Sequence, residues 1–122
     1  MTTPPRILVI DRNRRNLGLL GQFLHTRGYE PVTAASLDEL DTALREVDHL
    51  ALALVDLAGF DPSIWERCEQ LRAAAVPFLM LSPSGHSQAV QQAGASHGAR
   101  GVLIKPLKSE TLLDLIRSLL GS

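Results

Sequence analysis

Four uninterrupted apolar runs of strand length constrain this chain most: residues 7–10, 51–55, 78–81 and 102–104. Strands wetted on one face alternate apolar and polar residues, whereas continuous runs suit strands buried on both faces, as in a parallel sheet covered by helices. A fifth segment, Glu-Pro-Val-Thr-Ala at 30–34, is more polar and contains Pro31. That is the pattern of an edge strand that can spare a ladder donor. The length of 122 residues is enough for one domain with a real core and too short for two ordinary ones.

Between the runs the apolar spacing becomes helical. Leu17, Leu20 and Leu24 share one face of a first helix, which Gly28 is placed to end in a left-handed conformation. Ser36 and Glu39 form a Ser-x-x-Glu capping box opening a second helix with an inner stripe of Leu37, Leu40, Leu44 and Val47. Asp61-Pro62 reads as a cap with proline in the first turn of a third helix carrying Ile64, Cys68 and Leu71. Ser109 is the expected cap of a last helix bearing Leu112, Leu113, Ile116, Leu119 and Leu120, closed by Gly121. A fourth helix within 84–101 is predicted to be the least rigid, because Gly85, Gly94, Gly98 and Gly101 interrupt it and Val90 is its one apolar side chain beyond alanine. Interior glycine costs roughly 1 kcal/mol against alanine.

Strand alternating with helix to the end predicts an α/β fold, a doubly wound (βα)5 sandwich; the expected order of its parallel sheet is 2-1-3-4-5, the flavodoxin-like one of the two common doubly wound orders. Twelve Lys and Arg against thirteen Asp and Glu give a net charge of −1, so no global electrostatic case exists for nucleic acid or an anionic membrane. No apolar run approaches the ~20 residues of a membrane span. The single cysteine, Cys68, has no internal disulfide partner, and the start of the chain lacks an apolar secretory segment. These features predict an intracellular, cytoplasmic protein with no membrane association. No glycine pattern of the phosphate-loop or dinucleotide kind comes after a strand, and the four histidines lack metal-site spacing.

The polar residue at the end of each central strand carries the chemistry: Asp11 after the first run, Asp56 after the run at 51–55, Ser82 after the next and Lys105 after the last. In an open parallel sheet the carboxyl ends lie along one edge, where ligands bind at the reversal of winding. A single polar residue at a strand end can mark only the return of the chain to water. Four of them place two carboxylates, a hydroxyl and an ammonium around one spot, which suits a carboxylate that accepts a phosphoryl group and donors that hold its oxygens.

The chain resembles a receiver domain of the bacterial two-component response-regulator family from about residue 6 to 120. The resemblance rests on Arg-Ile-Leu-Val-Ile-Asp at 6–11, Leu-Ala-Leu-Val-Asp-Leu at 52–57, Met-Leu-Ser at 80–82 and Gly-Ala-Arg-Gly-Val-Leu-Ile-Lys-Pro at 98–106. It implies one receiver-like domain over 1–122, with Asp56 as phospho-acceptor, Asp11 as the first residue of the acidic pair, Ser82 as the switch hydroxyl and Lys105 as the phosphoryl-binding lysine. The Lys105-Pro106 bond is usually cis in this family.

Three departures stand beside the matches. Receivers carry a second acid after the first strand, the more direct ligand of the magnesium ion that phosphotransfer requires; here that position is Arg12. A guanidinium offers no lone pair to a metal that wants oxygen ligands, and it stays charged. Arg12 either pairs with Asp56 or Asp11 or swings into solvent with Arg14 and Arg15, leaving two carboxylates to hold a weaker ion. The aromatic switch position, three residues before the lysine, is Val102, which has no large ring to swing. The loop after Asp56 reads Leu-Ala-Gly-Phe-Asp-Pro, without the common Met-Pro pair.

The expected function is therefore an atypical receiver, a non-enzymatic module of protein interaction with weak or absent magnesium-dependent phosphorylation. The alternative is a conventional receiver phosphorylated on Asp56 by a partner histidine kinase. No cofactor and no metal are expected; magnesium, if it binds, does so weakly through Asp11 and Asp56. The implied partner is a histidine kinase or other signalling protein, with a homodimer through the fourth helix, fifth strand and fifth helix as a further option. Cys68 is expected as a small buried apolar group, Trp65 as a packing residue, and Arg14 and Arg15 as part of a solvated face.

Overall fold

The computed structural model describes residues 3–58, 62–82, 96, 98–104 and 108–121. In chain order these form β1 (Arg6–Ile10), α1 (Arg14–Thr26), β2 (Glu30–Ala34), α2 (Leu37–Glu46), β3 (Leu50–Asp56), α3 (Ile64–Ala73), β4 (Phe78–Ser82), β5 (Gly101–Ile104) and a C-terminal helix (Ser109–Leu120). All strand pairings are parallel and the sheet order is β2-β1-β3-β4-β5. The helix expected within 84–101 falls outside the described residues, apart from Ser96 and 98–101.

Alternate residues of the central strands serve two separate cores, which is why the apolar runs are continuous. Leu8, Ile10, Ala53, Val55, Phe78 and Met80 face Leu40 and Ala43 of α2 and Ile64, Cys68 and Leu71 of α3. Ile7, Val9, Leu52, Leu54 and Leu79 face Leu17 and Leu24 of α1 and Leu112, Leu113 and Ile116 of the C-terminal helix. Helices thus cover both faces of the sheet, as the doubly wound reading predicts. Cys68 is fully buried, and burial pushes its thiol up to about 12. Trp65 is half-buried against the first core.

β2 lies at one edge of the sheet. Glu30 N donates to Pro5 O at 2.9 Å and Ala34 O accepts from Asp11 N at 3.1 Å, so residues 30, 32 and 34 aim their peptide groups at β1. Residues 31 and 33 aim theirs outward.

Two helix starts differ from expectation. α3 begins at Ile64, behind a tight turn in which Pro62 O accepts from Trp65 N at 3.1 Å, and Ser63 rather than the Asp61-Pro62 pair precedes it; Asp61 itself lies outside the described residues. The C-terminal helix has Lys108 at its cap, extended and without a side-chain cap bond, which puts Ser109 inside the first turn. Its far end closes at Gly121 in the left-handed conformation, φ 75°, as the sequence predicts.

The ends of α1 and α3 share one hydrogen-bond pattern. After α1, Tyr29 N donates to Leu24 O and Gly28 N to His25 O, each at 3.1 Å, with Gly28 at φ 92°. After α3, Val76 N donates to Leu71 O at 2.9 Å and Ala75 N to Arg72 O at 3.0 Å, but the left-handed position is Ala75, φ 60°. An L-residue pays roughly 1–2 kcal/mol for that conformation, while glycine raises unfolded-chain entropy by part of that amount. Ala75→Gly is therefore expected to stabilise the domain by about 0.5–1 kcal/mol, read as a raised urea midpoint with an unchanged slope. An unchanged or lowered midpoint would show that the strain is relieved elsewhere.

α2 and α3 are tied by a forked ion pair, Arg67 Nε to Asp41 Oδ1 and Nη2 to Oδ2, both 3.0 Å, with Nη1 also donating to Ser63 O at 3.2 Å. The guanidinium holds the Asp41 carboxyl below the usual range. A lowered folded pKa contributes stability above the unfolded value, ~3.9, and loses it as pH falls through the folded one. Asp41→Asn is expected to cost up to about 1 kcal/mol at pH 7 and almost nothing near pH 2, measured by denaturation at both values.

Candidate functional site

Among the described residues, the buried polar or charged ones are Asp11, Asp56 and Ser82. All three lie at the carboxyl edge of the sheet: Asp11 directly after β1, Asp56 as the last residue of β3 and Ser82 as the last of β4. Register brings them together. Ile10 pairs with Val55 and Asp56 with Leu81, so Asp11 lies abreast of Asp56 across one strand spacing of about 4.8 Å, and Ser82 is one residue beyond the partner of Asp56. Asp11, Asp56 and Ser82 are 6, 1 and 3% exposed. Buried polar groups are costly unless partnered, so this edge is where the fold carries its electrostatic burden.

The two carboxylates build their loops in the same way. Asp11 Oδ1 accepts from Asn13 N at 2.8 Å, and Asp56 Oδ1 accepts from Ala58 N at 2.9 Å. Each is an aspartate turn that bends the chain away from its strand end. The second oxygen of Asp56 is buried and accepts no hydrogen bond among the described residues, while Asp11, Arg12, Asp56 and Ser82 all make further interactions.

Arg12 leaves the buried edge at the position directly after Asp11 and is exposed. Asn13 then caps α1, its side chain accepting from Asn16 N at 3.0 Å. Arg14 is exposed, as expected of a solvated face, but it is also bound: its Nη2 lies 2.7 Å from Glu39 Oε2. Glu39 N donates to Ser36 Oγ at 3.1 Å, the forward half of the capping box foreseen for α2, while Glu39 Oε1 accepts from Ala35 N at 2.9 Å, one residue before the cap. The Ser-x-x-Glu spacing identifies Glu39 as a capping residue; its second role depends on α1 and α2 starting side by side.

Val102 is half-buried in β5, paired with Met80 and packed against the core shared with α2 and α3. Lys105 and Pro106 lie outside the described residues, as does the loop at 59–61. Asp11 and Asp56 supply carboxylate oxygens of the kind magnesium takes. Among the described residues no group of three or more His, Cys, Asp or Glu comes together as a metal site.

An open parallel sheet with order 2-1-3-4-5, helices on both faces and acids at its carboxyl edge defines a flavodoxin-like α/β domain. No family model matches the chain. The fold is similar to a CheY-like response regulator receiver domain protein from Methanospirillum hungatei JF-1, with a TM-score of 0.85 and 26% identity over 97% of this chain and 94% of that one. In sequence it is 25% identical over 93% of its length to the transcriptional regulatory protein YxdJ of Bacillus subtilis. It is 28% identical over 98% of its length to the transcriptional regulatory protein AruR of Pseudomonas aeruginosa. The chain covers 49% and 51% of those two proteins, about half the length of the curated relatives it matches. Fold and sequence together make the chain similar to response regulator receiver domains over nearly its whole length. Among the described residues no helix is long and apolar enough to cross a membrane.

Proposed function

We propose that this receiver domain is atypical, working mainly through protein contacts with weak or absent magnesium-dependent phosphorylation. The observation that carries the reading is the order Asp11-Arg12-Asn13 at the rim of the buried carboxylates. Asp11 and Asn13 are committed to the loop and to the cap of α1, and the residue between them brings a permanent cation where similar domains bring a second acid. Arg12 and Lys105 would offset the charge of Asp11 and Asp56 without metal or phosphate, holding one arrangement of the edge.

In the second reading, supported by the burial of Asp56 beside Asp11 and Ser82, a partner histidine kinase or small donor phosphorylates Asp56. One Asp56 oxygen would bond to phosphorus as the bond to the donor's leaving group breaks. Ser82 and Lys105 would hold the phosphoryl oxygens, and magnesium held by Asp11 and Asp56 would offset their charge. Val102 then leaves the usual aromatic readout without a ring. Histidine kinases or other signalling proteins are the partners proposed in both readings, with self-association through β5, the C-terminal helix and the segment before β5 as a further mode.

Incubation with acetyl phosphate and magnesium, followed by intact mass, separates the readings. The atypical reading expects no stable phosphoryl increment. An increment present in the wild type and absent in Asp56→Asn would overturn it in favour of the second.

A further inference from the structure

Arg14 and Arg15 open the first turn of α1 and Arg12 stands just before its cap, at the end of a helix dipole that already favours anions. No acid sits in that turn. The compensating charge comes from another helix: Glu39, 25 residues away, places Oε2 at 2.7 Å from Arg14 Nη2 while Oε1 stays bonded to Ala35 N. That contact raises the basicity of Arg14 and holds the Glu39 carboxyl below its usual range, with the hydrogen bond as the leading cause on both sides. Arg14 has a 71% exposed side chain, so the pair is too wet to matter much for folding. Its geometric effect is larger. It fixes the Arg14 guanidinium on Glu39 of α2, while Asp11 lies three residues before Arg14 along the chain with Asp56 abreast of it on β3.

We propose that Glu39 is a positioning residue for the carboxylate edge: by binding Arg14 it keeps that guanidinium off Asp11 and Asp56, so that position 12 and not position 14 sets the charge the first loop brings there. The inference rests on the atypical reading in assigning Arg12 to the rim, and it adds a residue on α2 that determines how selective the edge is for cations.

Glu39→Gln tests it cleanly. The amide oxygen can still accept from Ala35 N, which keeps the start of α2, while the amide NH2 is turned on Arg14 and repels it. Asn13 N and Ala58 N, bonded to Asp11 and Asp56, are built-in reporters. In 15N–1H spectra at low salt, Glu39→Gln is expected to shift both amides, amides of the C-terminal helix staying in place. Glu39→Gln with Arg14→Gln should return them to wild-type positions, and 0.5 M salt should shrink the shift by screening. Reporter signals that do not move in Glu39→Gln, or that stay displaced in the double variant, would overturn the proposal. This readout needs no metal. In the Arg12→Asp chain, Glu39→Gln should in addition weaken magnesium binding several-fold, reversed by Arg14→Gln. If Arg12→Asp gains no magnesium affinity while the amide result holds, the atypical reading falls and the role of Glu39 stands.

Discussion

Replacing Arg12 with aspartate is expected to raise magnesium affinity by at least about tenfold. At ~6 Å in water a unit-charge pair is worth about 0.7 kcal/mol. The change from guanidinium to carboxylate moves two charge units, and both act on a divalent ion, so the raw effect is about fourfold larger. Even if salt screening halves it, about 1.4 kcal/mol remains, which is a factor of ten. The new carboxylate also adds an oxygen ligand beside Asp11 and Asp56, so the estimate is a floor. Calorimetric titration of wild type, Arg12→Gln and Arg12→Asp should give a graded series. Equal affinities in all three would place the Arg12 side chain away from the metal position and remove the basis of the atypical reading.

Phe78→Ala should produce the largest loss of stability. Phe78 is 1% exposed, opens β4 and packs in the core under α2 and α3. Its carbonyl also accepts from Arg100 N at 2.8 Å, the backbone bond that leads the chain into β5. Truncating a buried phenylalanine costs about 3–5 kcal/mol through lost transfer energy and a residual cavity, against a typical total of ~5–15. Phe78→Leu should cost a smaller part of this, because most of the volume is kept. Urea denaturation gives both values. A loss below about 1 kcal/mol for Phe78→Ala would mean that α3 collapses into the space.

The sheet was legible in the sequence because strands buried on both faces leave no polar residue within them. Glu30–Ala34 was legible for the opposite reason, as a polar run with a proline that suits only an edge. The helix starts were less so. Asp61-Pro62 carries the chemistry of a cap, yet the first α-helical turn forms only from Ile64, whose side chain is the first to reach the core. Ala75 shows the same competition at a helix end. No glycine announces a left-handed residue there, but Leu71 and Val76, which close the turn, are both buried in one cluster, and their packing imposes the conformation. At the site, Asp11, Asp56 and Ser82 could be named because each ends an apolar run. The bond from Arg14 to Glu39 could not, since it joins the first turns of α1 and α2, which meet only when β1 and β2 pair in register.

The outward side of β2 has one more consequence. With Pro31 and Thr33 facing away from β1, and proline lacking an N–H, that border presents a single amide donor over its length. A strand from another molecule would find one of the two outward donors missing, and proline on an edge strand is one way natural sheets discourage edge-to-edge pairing. The proline that looks like a concession in a short polar strand therefore helps guard the domain against templating its own polymerisation.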